Sequence, residues 1–215
     1  MLPNFSADRR EMVDRQLRAR GIRDQAVLDA MGRIPREEFV PESDREAAYW
    51  DGPLQIGFGQ TISQPYMTAL MAQSLELRGG ERVLEVGTGS GYAAAVLGQL
   101  AREVISVELV PELVELARAT LRRTGLGGKV MVLSGDGSWG HPDLAPFQAI
   151  SVAAGAPEIP RSLLEQLADP GRLVIPVGPH LDQELRVVTK RNGRLESRVA
   201  TMCSFVPLLG SQGWR

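Results

Sequence analysis

A chain of 215 residues is long enough for one domain with a small appendage and buries roughly 70% of its unfolded surface. Lys and Arg together number 24 against 26 Asp and Glu, a formal net charge of −2, which argues against a surface dedicated to nucleic-acid phosphates. Cys203 is the only cysteine, which leaves no intramolecular disulfide and no cysteine-based metal cluster and fits a reducing compartment, with the cytoplasm expected.

No charged stretch followed by an apolar one opens the chain and no apolar run nears about 18 residues, so neither export nor membrane spanning is expected. Met12, Leu17, Ile22, Val27, Leu28 and Met31 are spaced like buried positions of short helices. Gly21 divides two of them, Asp24 is placed to cap the second, and Pro35 and Pro41 end the helical pattern before Tyr49 and Trp50. Residues 1–60 therefore read as an N-terminal helical extension that packs on, or partly covers, a cofactor-binding α/β core of residues 61–215, the two making a single domain. Pro65 suits the first turn of a helix running to about Leu75. Ser63 stands just before it, where a hydroxyl serves equally as a cap or as a catalytic group; position alone leaves both readings open.

Residues 83–86 have strand character and run into Gly87-Thr88-Gly89-Ser90-Gly91, after which residues 93–100 read as a helix. Glycine has no Cβ, so the turn reverses sharply and lets a ligand lie against the main chain, while the helix directs its free N–H groups at the same spot. Dinucleotide folds space these glycines as G-x-G-x-x-G. The G-x-G-x-G spacing found here is similar to the cofactor loop of methyltransferases that use S-adenosylmethionine, whose methionine carboxylate is the anion available to the helix terminus. A structural glycine-rich turn is the competing reading.

Further strands are expected over residues 103–107, 129–133, 147–152 and 173–177, alternating with helices opened by Pro111 and Pro160. Glu108, 21 residues beyond Gly87, sits at a strand end where an acid binds ribose hydroxyls, although acids also favour helix N-termini. Asp136, between Gly135 and Gly137, is placed either to accept from an adenine amino group or to form a simple turn. The small residues 153–157 leave room for something extended to approach the backbone. Strands over residues 184–189 and 195–202 flank Asn192-Gly193, a strong hairpin signal. The pattern predicts a doubly wound sheet with helices on both faces and an antiparallel C-terminal hairpin edge. His141 and His180, the only histidines, are too few for a metal triad or a Ser-His-Asp arrangement; no metal is expected, and no chemistry is assigned to Trp50, Trp139 or Trp214.

Together these residues resemble the protein-L-isoaspartate (D-aspartate) O-methyltransferases over nearly the whole chain. The likeness runs through Gly21-Ile22, Pro35-Arg36-Glu37-Glu38-Phe39-Val40, Gly59-Gln60-Thr61-Ile62-Ser63-Gln64-Pro65, the glycine loop, Gly135-Asp136-Gly137, residues 153–160 and Phe205-Val206-Pro207-Leu208. The glycine loop marks only a broad class; the Thr61-to-Pro65 element is far more specific. The resemblance implies a Rossmann-like class I methyltransferase fold and a catalytic Ser63. It implies cofactor contacts from Glu85, Gly87, Thr88, Gly89, Ser90, Gly91, Glu108, Asp136 and Gly137, and substrate contacts from Thr61, Ile62, Ser63, Ala153, Ala154 and Val206. It further implies S-adenosyl-L-methionine as cofactor and S-adenosyl-L-homocysteine as product. The substrates implied are damaged proteins and peptides bearing L-isoaspartyl, or D-aspartyl, residues, with no nucleic-acid or membrane partner and a monomeric enzyme. Rival readings are a small-molecule methyltransferase and a cofactor-binding module without catalysis. Asn192-Gly193 is also prone to succinimide formation, because glycine leaves the attacking nitrogen unhindered, so the protein is expected to become its own substrate on ageing.

Overall fold

The computed structural model describes residues 4–180 and 182–214. A seven-stranded sheet is built from β3 (Arg82–Val86), β4 (Glu103–Glu108), β5 (Val130–Ser134), β6 (Phe147–Val152), β7 (Leu167–Val177), β8 (Gln183–Arg191) and β9 (Arg194–Cys203). Their spatial order is β5-β4-β3-β6-β7-β8-β9, parallel as far as β7 and antiparallel from β7 through β9. The doubly wound sheet with an antiparallel hairpin edge is therefore present as expected. Because the chain winds outward from β3 in one direction and then restarts at β6 in the other, the carboxyl ends of these neighbours part and leave a crevice.

Alternation along the strands divides the core by face. Val83, Val104, Val132, Ala149 and Val174 belong to a cluster shared with α3 (Pro65–Ser74), α4 (Tyr92–Leu100) and α5 (Pro111–Arg123). Leu84, Val86, Ile105, Val107, Ile150 and Leu173 belong to another, with Leu163 of the short α6 (Arg161–Gln166). The N-terminal extension enters the first cluster through Met12, Leu17, Ile22, Val27, Leu28 and Met31, all almost fully buried. These are the positions whose spacing indicated helix: α1 (Phe5–Glu11) continues with π spacing over Met12–Leu17 and a tight turn over Arg18–Arg20, and α2 (Gln25–Arg33) follows. Asp24 caps α2, accepting from the amides of Ala26 and Val27.

Three local features depart from the sequence pattern. Beyond Pro35 and Pro41 the chain makes two further tight turns, Arg36–Phe39 and Glu42–Ala47; each proline is the N-cap and its carbonyl accepts the first turn bond, from Glu38 N and Asp44 N, so its missing N–H costs the turn nothing. A two-stranded hairpin, β1 (Leu54–Gly57) with β2 (Gln60–Ile62), precedes Ser63; its strands are too short to carry a periodic signal. Strand β7 begins at Leu167 rather than near residue 173, because Leu167 already pairs with Phe147 before the register shifts.

The β8–β9 turn is the two-residue turn expected of Asn192-Gly193, with φ of +52° and +74°. Both of its amides donate to the Asp169 carboxylate, Asn192 N at 2.9 Å and Gly193 N at 2.5 Å. Succinimide formation requires that same Gly193 nitrogen to attack the Asn192 side chain, so Asp169 ties down the nucleophile and opposes the self-ageing expected from the dipeptide. Asp169→Ala should therefore accelerate conversion at position 192 during incubation at neutral pH, followed by peptide mass spectrometry; equal rates in both proteins would show that Asp169 gives no protection.

Candidate active site

At the switch point the cleft is lined by residues 60–63, 86–90, 107–110 and 206–209, with Thr68, Tyr92, Ala93, Gly137, Ala153 and Ala154. Gly87, Gly89 and Gly91 all take left-handed φ, +88°, +53° and +88°, which explains glycine at every second position. A Cβ on Gly89 would lie 3.3 Å from Ile56 Cδ1, so the β1–β2 hairpin closes on the loop from above. A Cβ on Gly91 would meet Ala117 and Leu121 of α5; that glycine serves packing and does not line the cleft. A Cβ on Gly137 would come within 2.5 Å of Val86 Cγ1, so the turn after β5 rests directly on the end of β3. No side chain caps α4, whose N-cap is Gly91, so the N–H groups of its first turn remain available to an anion.

Glu108 lies on the cleft wall, almost fully buried. Its Oε2 accepts from Gly89 N at 2.8 Å and its Oε1 from Val110 N at 3.0 Å. The carboxylate thus braces the glycine loop, and each oxygen keeps a lone pair for a hydroxyl donor. The apolar wall beside it is Leu109, 41% exposed. This pairing of an acid with an apolar neighbour and Gly137 fits a nucleoside, and the uncapped helix fits a small carboxylate; the residues suit S-adenosylmethionine.

Two predicted residues sit differently. Glu85 is wholly buried beneath the loop and does not reach the cleft wall. Its Oε2 accepts from Ser106 Oγ at 2.5 Å, Ser106 Oγ pairs in turn with Thr88 Oγ1, and Oε1 has no partner. Burial pushes the Glu85 carboxyl up to about 8, the nearby Glu108 charge adds to this, and the Ser106 hydrogen bond opposes it. Asp136 also lies off the wall: Oδ1 accepts from Ser138 N and Ser138 Oγ, and Oδ2 from Ser211 N. It caps the turn Gly137–Trp139 and fastens the C-terminal segment, and these hydrogen bonds outweigh desolvation and hold its pKa below the usual aspartate value. Three of about four acceptor positions are taken, so any adenine contact must use the remaining one.

Ser63 is half-buried at the end of β2. The cap of α3 is Gln64, not Ser63, and among the described residues no partner takes the Ser63 hydroxyl, so the capping reading finds no support here. Thr61 and Ser63 line the cofactor cleft and also a second groove, bounded by Arg20, Tyr66, Met67 and residues 201–205. Cys203 on that groove is no rival nucleophile, since burial raises its thiol to about 11. The groove, and the cleft contributions of Leu109, Leu208 and Leu209, were not visible in the sequence because each arises from distant segments meeting. Residues 208–214 are drawn in by Ser211 N to Asp136 and by Trp214 Nε1 to Gly155 O at 3.0 Å, so the short tail does contribute a wall.

Comparison with known proteins gives the family. Residues 7–213 match the family model described as protein-L-isoaspartate(D-aspartate) O-methyltransferase. A protein-L-isoaspartate O-methyltransferase of Methanoculleus marisnigri is 52% identical, covering 97% of this chain and 94% of its own. One from Marinobacter nauticus is 55% identical, covering 98% and 97%. Among solved structures, a protein-L-isoaspartate O-methyltransferase superposes with a TM-score of 0.84 at 31% identity over 95% of this chain and 67% of its own. A chain from Plasmodium falciparum, described as a beta-aspartate methyltransferase in complex with S-adenosyl-L-homocysteine, superposes with a TM-score of 0.82 at 28% identity, covering 96% and 99%.

The buried Glu85 predicts a pH effect on stability. Its folded pKa lies above the unfolded value, so its contribution is fully present below the ordinary carboxylate range and is lost as pH rises toward about 8. Glu85→Gln keeps the shape and removes the ionisation. Its thermal midpoint relative to wild type should rise steadily between about pH 5 and pH 8 and level off above; a difference constant across that range would mean that Glu85 is not protonated in the folded protein.

Proposed function

The chain belongs to the protein-L-isoaspartate(D-aspartate) O-methyltransferase family, and from that premise we propose that Ser63 binds the accepting carboxylate at the junction of the two clefts. The enzyme methylates isoaspartyl residues of damaged proteins with S-adenosylmethionine. The cofactor supplies an electrophilic sulfonium methyl. We assign its carboxylate to the first turn of α4, its ribose to Glu108 and its adenine to the region of Leu109 and Gly137, with Gly87, Thr88, Gly89 and Ser90 forming the floor; Glu85 acts from below by holding Ser106 and Thr88, and Asp136 and Gly91 by shaping the turns.

The observation that carries the Ser63 assignment is that Ser63 lines both the cofactor cleft and the outer groove and that, among the described residues, its hydroxyl has no protein partner. An isoaspartyl α-carboxylate has a pKa of roughly 3.5 and is ionised at neutral pH, so no general base is needed, in keeping with a site without histidine. The Ser63 hydroxyl donates to one carboxylate oxygen and leaves the other free to attack. Thr61, Ile62, Ala153, Ala154 and Val206 would flank the substrate backbone and keep water from the anion, which favours a step that joins opposite charges. The ester formed is a better electrophile than the carboxylate: the following backbone nitrogen attacks its carbonyl carbon and expels methanol, which closes a succinimide that water reopens partly to aspartate.

The N-terminal extension shares the core of this site, and we read the two as one functional unit. Among the described residues no helix is long and apolar enough to cross a membrane; the single cysteine supports the cytoplasm as the place of action.

Paired peptides differing only in aspartate or isoaspartate, incubated with labelled cofactor, should show methylation of the isoaspartyl form alone; equal labelling of both would defeat the reading. A hydrogen bond to a charged group is worth about 1.5–3 kcal/mol, so Ser63→Ala should lower kcat roughly ten- to hundredfold while cofactor affinity measured by calorimetry stays close to wild type. Unchanged turnover in that variant would remove Ser63 from the mechanism.

A further inference from the structure

We propose that Arg36 is a positioning residue for the methyl-accepting half of the site, acting through the peptide carbonyl of Ser63. Its side chain is wholly buried. Nη2 donates to Ser63 O at 2.9 Å and Nε to Ala48 O at 2.7 Å, while Nη1 is buried without a partner. The guanidinium carbon lies 4.9 Å from the ring centroid of Tyr92, the first residue of α4, which itself lines the cofactor cleft. One side chain thus touches the N-terminal extension, the accepting serine and the helix that follows the glycine loop.

The company it keeps is unusual for a buried cation. Among the described residues no carboxylate lies within ion-pair distance of Arg36; the adjacent Glu37 is taken by Arg9 at 2.8 Å and by the Tyr49 hydroxyl. Tyr49 in turn accepts from Arg9 Nε at 2.7 Å and from Arg36 N at 3.2 Å, which fixes the Arg36 backbone. Desolvating a charge against carbonyls and one aromatic face is costly, and an apolar side chain would fill the space more cheaply. What an apolar side chain cannot do is hold two carbonyls of separate segments in a fixed fork.

Ser63 occupies the short link between β2 and α3, where neither a ladder nor a helix restrains its carbonyl; the next carbonyl, Gln64 O, is already held by Thr68 N at 3.1 Å. The Arg36 bond sets the peptide plane after Ser63 and with it the direction of the Ser63 Cα–Cβ bond. A hydroxyl that must place an anion in line with a methyl group is sensitive to such a rotation.

The proposal rests on the role given to Ser63, and a double-mutant cycle separates the two. Turnover of an isoaspartyl peptide at saturating cofactor is measured for wild type, Ser63→Ala, Arg36→Gln and the double variant, at a temperature where circular dichroism shows all four folded. Arg36→Gln should lower kcat about ten- to hundredfold, with the S-adenosylmethionine Kd changed less than about threefold and the double variant within about twofold of Ser63→Ala alone. Losses that multiply would overturn the proposal and leave the serine assignment standing, whereas wild-type turnover in Ser63→Ala would remove both. If Arg36→Gln does not fold, Arg36→Lys, which keeps the charge and gives up the fork, enters the same cycle. Failure of both variants to fold would assign Arg36 to folding and overturn the proposal.

Discussion

The end of β3 is held from both sides, and the rest of the site depends on that pairing. Gly87 N donates to Val107 O on β4 and Ala153 N donates to Val86 O on β3, each at 2.9 Å. These are the last rungs of two parallel ladders that diverge immediately afterwards. Beyond them the chain leaves the sheet at adjacent strand ends, so the loops after β3, β4 and β6 must share one space. The glycine loop, Glu108 and the small residues Ala153 and Ala154 meet there for that reason alone.

Polar groups beneath and around this opening are arranged in layers. Ser106 and Glu85 face each other across the β3–β4 register, and with Thr88 they support the loop from within the sheet. Glu108 secures it at the rim through Gly89 N. Asp136 performs a comparable task one strand further out, where its carboxylate collects Ser138 and Ser211 and brings the chain terminus back over the cleft. Acidic residues near the cleft therefore divide between Glu108, which lines it, and Glu85 and Asp136, which hold its walls in place.

The side that we assign to the methyl acceptor is built from different material. Ser63 belongs neither to the sheet nor to a helix, and its neighbours come from the β1–β2 hairpin, from Arg20 and Arg36 of the extension and from the last residues of β9. A scaffold common to many methyltransferases thus meets an added N-terminal layer at the serine. The layer does more than cover the core: Met12, Leu17 and Met31 are part of that core.

From Pro65 onward the sequence by itself determined the order of strands and helices, the glycine loop and the hairpin edge, because G-x-G-x-G, Pro65, Pro111 and Asn192-Gly193 act on their own few residues of backbone. The family likeness added Ser63. Only the tertiary structure decided that Glu85 lies under the loop and not on the cleft wall, that three donors engage Asp136, that Asp169 holds the Asn192-Gly193 amides and that Arg36 reaches Ser63. Each of these is a contact between segments remote in the chain, and the periodicity of a sequence reports which face of an element is buried without saying which distant side chain meets it.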